Sequence, residues 1–149
     1  PVVVANLGKC ELEELSQILV PIKDLSASAR EQFELALRLL STAPDRKAAT
    51  ISLLHIHDPR FNRHERSWME QQLKSWCPRD IPSHQVQIKL LQGPGIDSKI
   101  HWFSKDHDLV ILRSQRRRVA GLPIPASDRT SNLVHQLACP ALMISDPLN

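Results

Sequence analysis

Five short apolar segments recur along the chain, and each is long enough to form one β-strand. They lie at residues 18–22, 51–56, 86–91, 109–112 and 141–144. The third alternates apolar and polar positions, whereas the others have almost no polar interruption. Such continuous apolar runs are typical of strands that are buried on both faces of a parallel sheet.

Amphipathic segments separate the first three apolar runs. The spacing of Ser28 and Glu31 matches a helix-capping box, and apolar residues follow it at helical intervals until the chain approaches Pro44. Asn62 and Glu65 repeat the capping pattern. The second helix is predicted to run to Pro78, with its three large apolar residues packed in the core: Trp68, Leu73 and Trp76.

Turns and shorter helices are predicted in the second half of the chain. Gly93-Pro94-Gly95 indicates a tight turn, after which Asp97 is expected to cap a short helix bearing Ile100 and Phe103. Trp102, at a helical position with these apolar residues, is expected in the core. A basic segment follows the fourth apolar run. A loop rich in proline and small residues is predicted at 120–126, and a last helix carries Leu133, Val134 and Leu137.

Strand and helix patterns therefore alternate five times. This order predicts an α/β fold: a doubly wound, five-stranded, mostly parallel sheet with helices on both faces, formed by residues 17–149. Residues 1–16 begin apolar and end acidic, and they are interpreted as a linker or lead-in. Ligands of such sheets bind beyond the carboxyl ends of the strands, so the loops after the first and fourth strands are the places to search.

Composition narrows the class of protein. The chain has 149 residues, 42% hydrophobic and 23% charged, with a formal net charge of +3, as expected for one globular domain. No apolar run approaches the roughly 18 residues needed to span a bilayer, and no signal peptide is recognisable. Three cysteines without CxxC spacing argue against a disulfide framework or zinc site and favour a reducing, cytosolic setting. Because the first residue is Pro rather than Met, we expect a fragment of a larger polypeptide.

Several segments resemble the universal stress protein family. Residues 18–22 resemble the opening strand of that family, Gly93-Pro94-Gly95-Ile96 its turn before the third helix, and residues 106–112 its fourth strand. Residues 133–144, with Cys139-Pro140 before the last strand, resemble its final helix and strand. The resemblance covers roughly residues 17–145, and it implies the adenine nucleotide alpha hydrolase-like fold and binding of ATP or another adenine nucleotide.

The predicted nucleotide loop differs from that of ATP-binding members. They carry G-x-x-G and then G-[S/T] after the fourth strand, because glycines let backbone N–H groups approach the phosphates. Here the stretch starts with Arg113, Ser114, Gln115, Arg116 and Arg117, and neither expected glycine is present. Ser127 stands at the place of the later glycine, and Thr130 at the place of the phosphate-contacting hydroxyl.

Two interpretations of this basic loop stay open. The arginines could hold an anion by bidentate guanidinium contacts. Alternatively, the loop could have lost nucleotide binding and dock onto another protein surface. The candidate anion or nucleotide site has ten residues: Pro21, Ile22, Asp24, His55, Arg113, Ser114, Arg116, Arg117, Ser127 and Thr130.

The first loop carries a similar change. Lys23 stands where ATP-binding members place an acidic residue, and Asp24 follows one position later. Asp24 could reach a ribose or help to cap the first helix. His55 and His57 share one face of the second strand; they could line the mouth of the cleft, and no third ligand at diagnostic spacing supports a metal site.

Motifs of hydrolases, P-loop nucleotide-binding proteins and nucleic-acid-binding proteins are missing from the sequence. The chain has no G-x-S-x-G nucleophile elbow, no phosphate-binding P-loop, and no aromatic residues interleaved with its arginines. We therefore expect neither an enzyme nor a nucleic-acid-binding protein.

The function predicted from the sequence is a cytosolic regulatory, ligand-sensing module. We expect it to be covalently linked to a membrane transporter or channel. The alternative is a stand-alone universal stress protein that binds ATP. By analogy with the family, a homodimer through the last strand, residues 141–144, is also expected, because an apolar edge strand needs a partner.

Overall fold

The computed structural model describes residues 2–6, 16–42, 48–58, 60–114, 117–119, 122–124, 139 and 141–145. The described helices are α1 (Ala27–Ser41), α2 (Arg63–Ser75) and α3 (Ile96–Ser104), and a short 3-10 turn spans Ser83–Gln85. The described strands are β1 (Val2–Asn6), β2 (Gln17–Ile22), β3 (Thr50–His57), β4 (Val86–Gln92), β5 (Leu109–Ser114), β6 (Arg117–Val119), β7 (Leu122–Ile124) and β8 (Ala141–Ser145). No described helix has both the length and the apolar character needed to cross a bilayer.

The main sheet has the strand order β1-β8-β5-β2-β3-β4. Strands β2, β3, β4, β5 and β8 are mutually parallel, which confirms the predicted five-stranded parallel α/β sheet. The segment interpreted as a lead-in adds a sixth strand, β1, which runs antiparallel to β8 from Val2↔Ser145 to Asn6↔Ala141. Strand β8 therefore has partners on both sides, and a homodimer through β8 would require β1 to be displaced.

Two apolar layers cover the sheet. On one face, alternate residues of β2 and β3 pack against α1 and α2, with Phe33 and Leu73 almost fully buried. On the other face, a smaller cluster places Ile100 of α3 against β2, β3 and β5. Helices on both faces leave the strands little contact with water, and this explains the near-continuous apolar runs of the sequence.

Helix α1 begins two residues earlier than its predicted cap. Ser26, not Ser28, is the N-cap, and its hydroxyl accepts a hydrogen bond from the Ala29 N–H at 3.2 Å. The predicted box was wrong because Asp24 holds the Ser26 N–H in a turn ahead of the helix, at 3.1 Å. The cap of α2 is confirmed: the Asn62 side chain accepts from the Glu65 N–H at 2.9 Å.

The tryptophans differ from expectation. Trp76 stacks on Phe33, with ring centroids 6.4 Å apart, and is partly buried. Trp68 and Trp102 are 53% and 59% exposed, so placing them in the core was wrong. Both lie on the outer faces of their helices. The prediction was wrong because helical spacing shows which residues share a face but does not show which face packs on the sheet.

The turn before α3 is tight, as predicted. Gly95 has φ +88°, a left-handed conformation that L side chains rarely adopt, and it forms the N-cap of α3. Asp97 lies in the first helical turn instead of at the predicted cap position.

Part of the loop predicted at 120–126 is extended. Strands β6 and β7 form an antiparallel two-stranded sheet, with Arg117 opposite Ile124. The predicted last helix, with Leu133, Val134 and Leu137, falls outside the described residues.

The amino ends of β2 and β5 are tied together by Asp108. Its carboxylate accepts hydrogen bonds from the Ser16 N–H (3.1 Å), the Ser16 hydroxyl (2.8 Å) and the Gln17 N–H (2.9 Å). Nearby, His107 Nδ1 donates to the Phe103 carbonyl at 2.7 Å, and its Nε2 accepts from the Ser52 hydroxyl at 2.9 Å. Burial lowers the pKa of His107.

Candidate functional site

A topological switch point lies between β2 and β5, where the chain changes direction across the sheet, and the space beyond the carboxyl ends of these two strands is here called the crevice. Strand β2 pairs with β3 along its whole length but with β5 only at Ile18↔Leu109 and Leu19↔Val110. Pro21 contributes to this separation, because proline has no N–H to donate to a ladder. In open parallel sheets such a switch point is the usual ligand site.

Gln32 of α1 fills the floor of this crevice. Its amide donates to the Pro21 carbonyl at 3.0 Å and to the Ile111 carbonyl at 3.1 Å. The two carbonyls belong to β2 and β5, at positions beyond the last residues paired between these two strands. The buried Gln32 therefore satisfies one carbonyl on each side of the gap and fixes the position of α1 above it.

Arg113 reaches across the mouth of the crevice from the end of β5. One guanidinium nitrogen donates to the Ser26 hydroxyl at 2.8 Å and lies 3.5 Å from a carboxylate oxygen of Asp24. The side chain of Arg113 is 15% exposed, whereas that of Asp24 is 49% exposed. The pKa of Asp24 is lowered, chiefly by hydrogen bonding from Ser26, with a smaller contribution from the Arg113 charge.

The contacts of Asp24 are with the loop before α1 and with Arg113. Asp24 does not cap α1 itself; it accepts from the backbone of the residue that does, and it pairs with Arg113. A negative charge is favourable beside the amino end of a helix. The cluster Asp24–Ser26–Arg113, hereafter the switch-point cluster, thus joins a carboxylate, a helix N-cap and a guanidinium at the carboxyl edge of the sheet.

Two histidines and a phenylalanine lie next to this cluster at the end of β3. His55 Nδ1 donates to the Ile22 carbonyl at 3.1 Å, and burial lowers the pKa of His55. His57 stacks on Phe61 with ring centroids 5.2 Å apart. As predicted, the two imidazoles share one face of β3, and their centroids are 6.4 Å apart.

His57 is almost fully buried, and its Nδ1 donates to the Asp58 carbonyl at 3.1 Å. Its Nε2 has no hydrogen-bond partner among the described residues, and its residue is 4% exposed. No group of three or more His, Cys, Asp or Glu residues that could hold a metal ion occurs in the part of the chain that the structure describes.

Five of the predicted site residues converge on this edge of the sheet. Pro21, Ile22, Asp24, His55 and Arg113 all lie at the carboxyl ends of β2, β3 and β5. The structure describes Ser114 and Arg117 by backbone alone, in β5 and β6. Arg116, Ser127 and Thr130 lie outside the described residues, so their predicted roles stay predictions.

The sequence prediction omitted three residues of this region: Ser26, Gln32 and Phe61. Ser26 could have been predicted, because a serine ahead of an amphipathic helix is a candidate N-cap. Ser28 was chosen because its spacing to Glu31 matched a capping box. Gln32 could also have been predicted, since it is a polar residue beside Phe33 on the apolar face of α1. The contact of Phe61 with His57 had no sequence signal.

Comparisons with known proteins support the fold. No family model matches the chain, and no curated protein matches it by sequence. Among solved structures, a putative universal stress protein from Pseudomonas aeruginosa UCBPP-PA14 is similar with a TM-score of 0.65 and 14% identity. That match covers 96% of this chain and 52% of the other, so the chain spans about half of that protein's length.

Two further structures match over nearly their full lengths. The universal stress protein from Archaeoglobus fulgidus is similar with a TM-score of 0.59 and 13% identity, over 87% of this chain and 93% of the other. A universal stress protein in complex with cAMP is similar with a TM-score of 0.58 and 12% identity, over 88% and 97%. At these identities the likeness establishes the universal-stress-protein-like fold.

Proposed function

We propose that this domain is a ligand-sensing module that binds an adenine nucleotide, or another phosphate-bearing ligand, at the switch-point cluster. The observation that carries the proposal is the position of Arg113. Its guanidinium sits at the amino end of α1, at the mouth of the crevice, and is held there by Ser26 and Asp24.

The cluster has the chemistry of an exchangeable anion site. Arginine binds phosphate by paired N–H donors, and the amino end of a helix adds partial positive charge in the same place. Asp24 is half exposed, so an incoming phosphate could replace its carboxylate beside Arg113. Such a replacement would loosen the loop that precedes α1, and a sensor requires a change of this kind that depends on the ligand.

The ligand class takes its support from the comparisons. One structure of the same fold is a complex with cAMP. We carry the adenine nucleotide class over to this chain as part of the proposal. Pro21, Ile22 and His55 border the crevice and are assigned to the nucleoside, while Arg113 is assigned to the phosphate.

The proposal includes binding without turnover, in a cytoplasmic module. We further propose that the module regulates a covalently linked membrane transporter or channel, by binding its ligand with different affinity in two conformations. Hydrophobic spans in the full open reading frame would support this setting, and their absence would favour a stand-alone stress protein.

Isothermal titration with ATP, AMP and cAMP tests the site. Arg113→Gln should weaken the binding of whichever nucleotide binds by at least about tenfold, since a charged hydrogen bond to phosphate is lost. Arg79→Gln is the matched control, because Arg79 is an exposed arginine outside the cluster. Asp24→Asn separates two roles: tighter binding means that Asp24 competes with phosphate, and weaker binding means that it holds the ribose.

Two outcomes would contradict the proposal. If none of the three nucleotides binds, the basic loop is better explained as a docking surface for another protein. If Arg79→Gln weakens binding as much as Arg113→Gln does, the affinity reflects general positive charge. Release of phosphate from ATP by the purified domain, lost in Arg113→Gln, would overturn the proposal that it does not act as an enzyme.

A further inference from the structure

A second concave surface lies on the other side of the sheet from Arg113. It is an open groove of about 480 Å³ between the carboxyl end of β4 and the outer face of α3. Leu91, Pro94 and Phe103 contribute apolar walls, and Trp102 and Lys99 border it. Its volume lies in the range of small-molecule sites, which are roughly 300–1,000 Å³.

The aromatic residues form a corner. The rings of Trp102 and Phe103 are perpendicular, at 89°, with centroids 4.9 Å apart. Phe103 packs against the smaller core cluster and is thereby fixed, while Trp102 is 59% exposed. A fixed ring beside an exposed indole offers a flat molecule both an edge contact and a face contact.

Lys99 lines the groove and gives it a positive charge, and a second lysine, Lys89, lies near its Phe103 wall. The Lys89 ammonium lies 4.8 Å from the centroid of the Phe103 ring, and the Lys99 ammonium donates to the Pro94 carbonyl at the rim. No carboxylate lines the groove, and neither lysine takes part in an ion pair with the described residues. Charge complementarity therefore favours an anionic occupant.

We propose that this groove binds a small planar aromatic molecule that carries a carboxylate or a comparable anionic group. The ring system packs into the Trp102–Phe103 corner, and the anion lies beside the Lys99 ammonium group, which lines the groove. Nothing in this proposal depends on Arg113 or on nucleotide binding, because the groove and the switch-point cluster lie on opposite faces of the sheet.

The test uses a matched pair of probes, 2-naphthoate and its neutral amide, 2-naphthamide. Each is titrated into the ¹⁵N-labelled domain while backbone amide shifts are recorded. The expected result is that shift changes concentrate at the end of β4 and along α3, and that naphthoate binds about threefold more tightly than the amide, as one screened charge contact gives.

Two variants with matched controls locate the site. Trp102→Ala should weaken naphthoate binding by about fivefold or more through loss of the aromatic contact. Trp68→Ala, which removes another exposed tryptophan from a helix, should leave the affinity unchanged. Lys99→Gln should remove most of the preference for naphthoate over the amide, whereas Lys74→Gln, on α2, should preserve it. Circular dichroism checks that each variant is folded.

Several results would overturn the proposal. Equal affinity for naphthoate and naphthamide would remove the anionic requirement. Equal losses in Trp102→Ala and Trp68→Ala, or shift changes spread over the whole sheet, would show unspecific adsorption. Self-association in sedimentation that Trp102→Ala abolishes would make this face an interface between copies of the chain. Loss of naphthoate binding in Arg113→Gln would mean that the two sites are one.

Discussion

The two edges of the parallel sheet carry similar residues in different arrangements. At the amino edge, Asp108 accepts three hydrogen bonds from Ser16 and Gln17, and His107 is held between the Phe103 carbonyl and the Ser52 hydroxyl. At the carboxyl edge, Arg113 pairs with Asp24 and donates a hydrogen bond to Ser26. His55 donates a hydrogen bond from Nδ1 to the Ile22 carbonyl.

The difference lies in what each carboxylate holds. Asp108 binds backbone N–H groups whose positions the sheet fixes, so its contacts stabilise the fold. Asp24 binds a guanidinium that can also bind an external anion, so its contact can be exchanged. The same residue types therefore serve stability at one edge and, under our proposal, recognition at the other.

The largest expected effect is on stability at the amino edge. Asp108→Ala removes the acceptor of three hydrogen bonds and should lower the free energy of unfolding by about 2–3 kcal/mol. Asp24→Ala should lower it by less than about 1 kcal/mol, because a half-exposed ion pair is screened by water. Urea denaturation followed by circular dichroism measures both, and Asp80→Ala is the control at an exposed aspartate.

Equal losses in Asp108→Ala and Asp24→Ala would remove the distinction between the edges. A larger loss in Asp24→Ala would reverse it, and would mean that the loop before α1 contributes to folding rather than to exchange with a ligand.

The second prediction concerns pH, and it applies to both edges. Burial lowers the pKa of His107 and of His55 below the ordinary 6.5, so the folded state binds these protons more weakly than the unfolded state. Stability should therefore be constant above about pH 7 and fall as the pH drops through 6.5, by at most about 1.4 kcal/mol per pH unit for each imidazole.

Denaturation curves at pH 7.5, 6.5 and 5.5 measure this slope. His107→Gln and His55→Gln should each reduce it, and His84→Gln, at an exposed histidine, should not. A rise in stability between pH 7 and pH 5.5 would contradict the direction of both pKa changes.

The smallest expected effect is that of salt. Raising NaCl from 0.1 to 1 M should weaken the Asp24–Arg113 pair and lower its contribution to stability by a few tenths of a kcal/mol. The comparison is a double-mutant cycle of Asp24→Asn and Arg113→Gln at each salt concentration. A coupling energy that does not change with salt would indicate a pair shielded from solvent.

Local patterns predicted the fold well, because burial on both faces leaves apolar runs that can be read directly. The runs at 18–22 and 51–56 became β2 and β3, and the Asn62 cap was predicted correctly because its partner lies three residues away. Strand β1 was not predicted, since its stability depends on pairing with residues about 140 positions later. The local sequence pattern of residues 2–6 does not indicate a partner so distant in the chain.

The candidate site could be predicted only in part, for a related reason. The strand ends placed Asp24, His55 and Arg113 together, as the topology rule requires. The choice of Ser26 over Ser28 depended on a hydrogen bond from Ser26 to Asp24, and the role of Gln32 depended on two carbonyls from different strands. The exposed positions of Trp68 and Trp102 depended on which helix face meets the sheet.

The pairing of β1 with β8 also brings together two parts of the chain that are far apart in the sequence. Val2 and Ser145 are cross-strand partners, so their Cα atoms are about 5 Å apart. The β1–β8 ladder therefore closes a loop of about 140 residues, and the conformational entropy lost in closing it must be offset by the hydrogen bonds and packing of this strand pair.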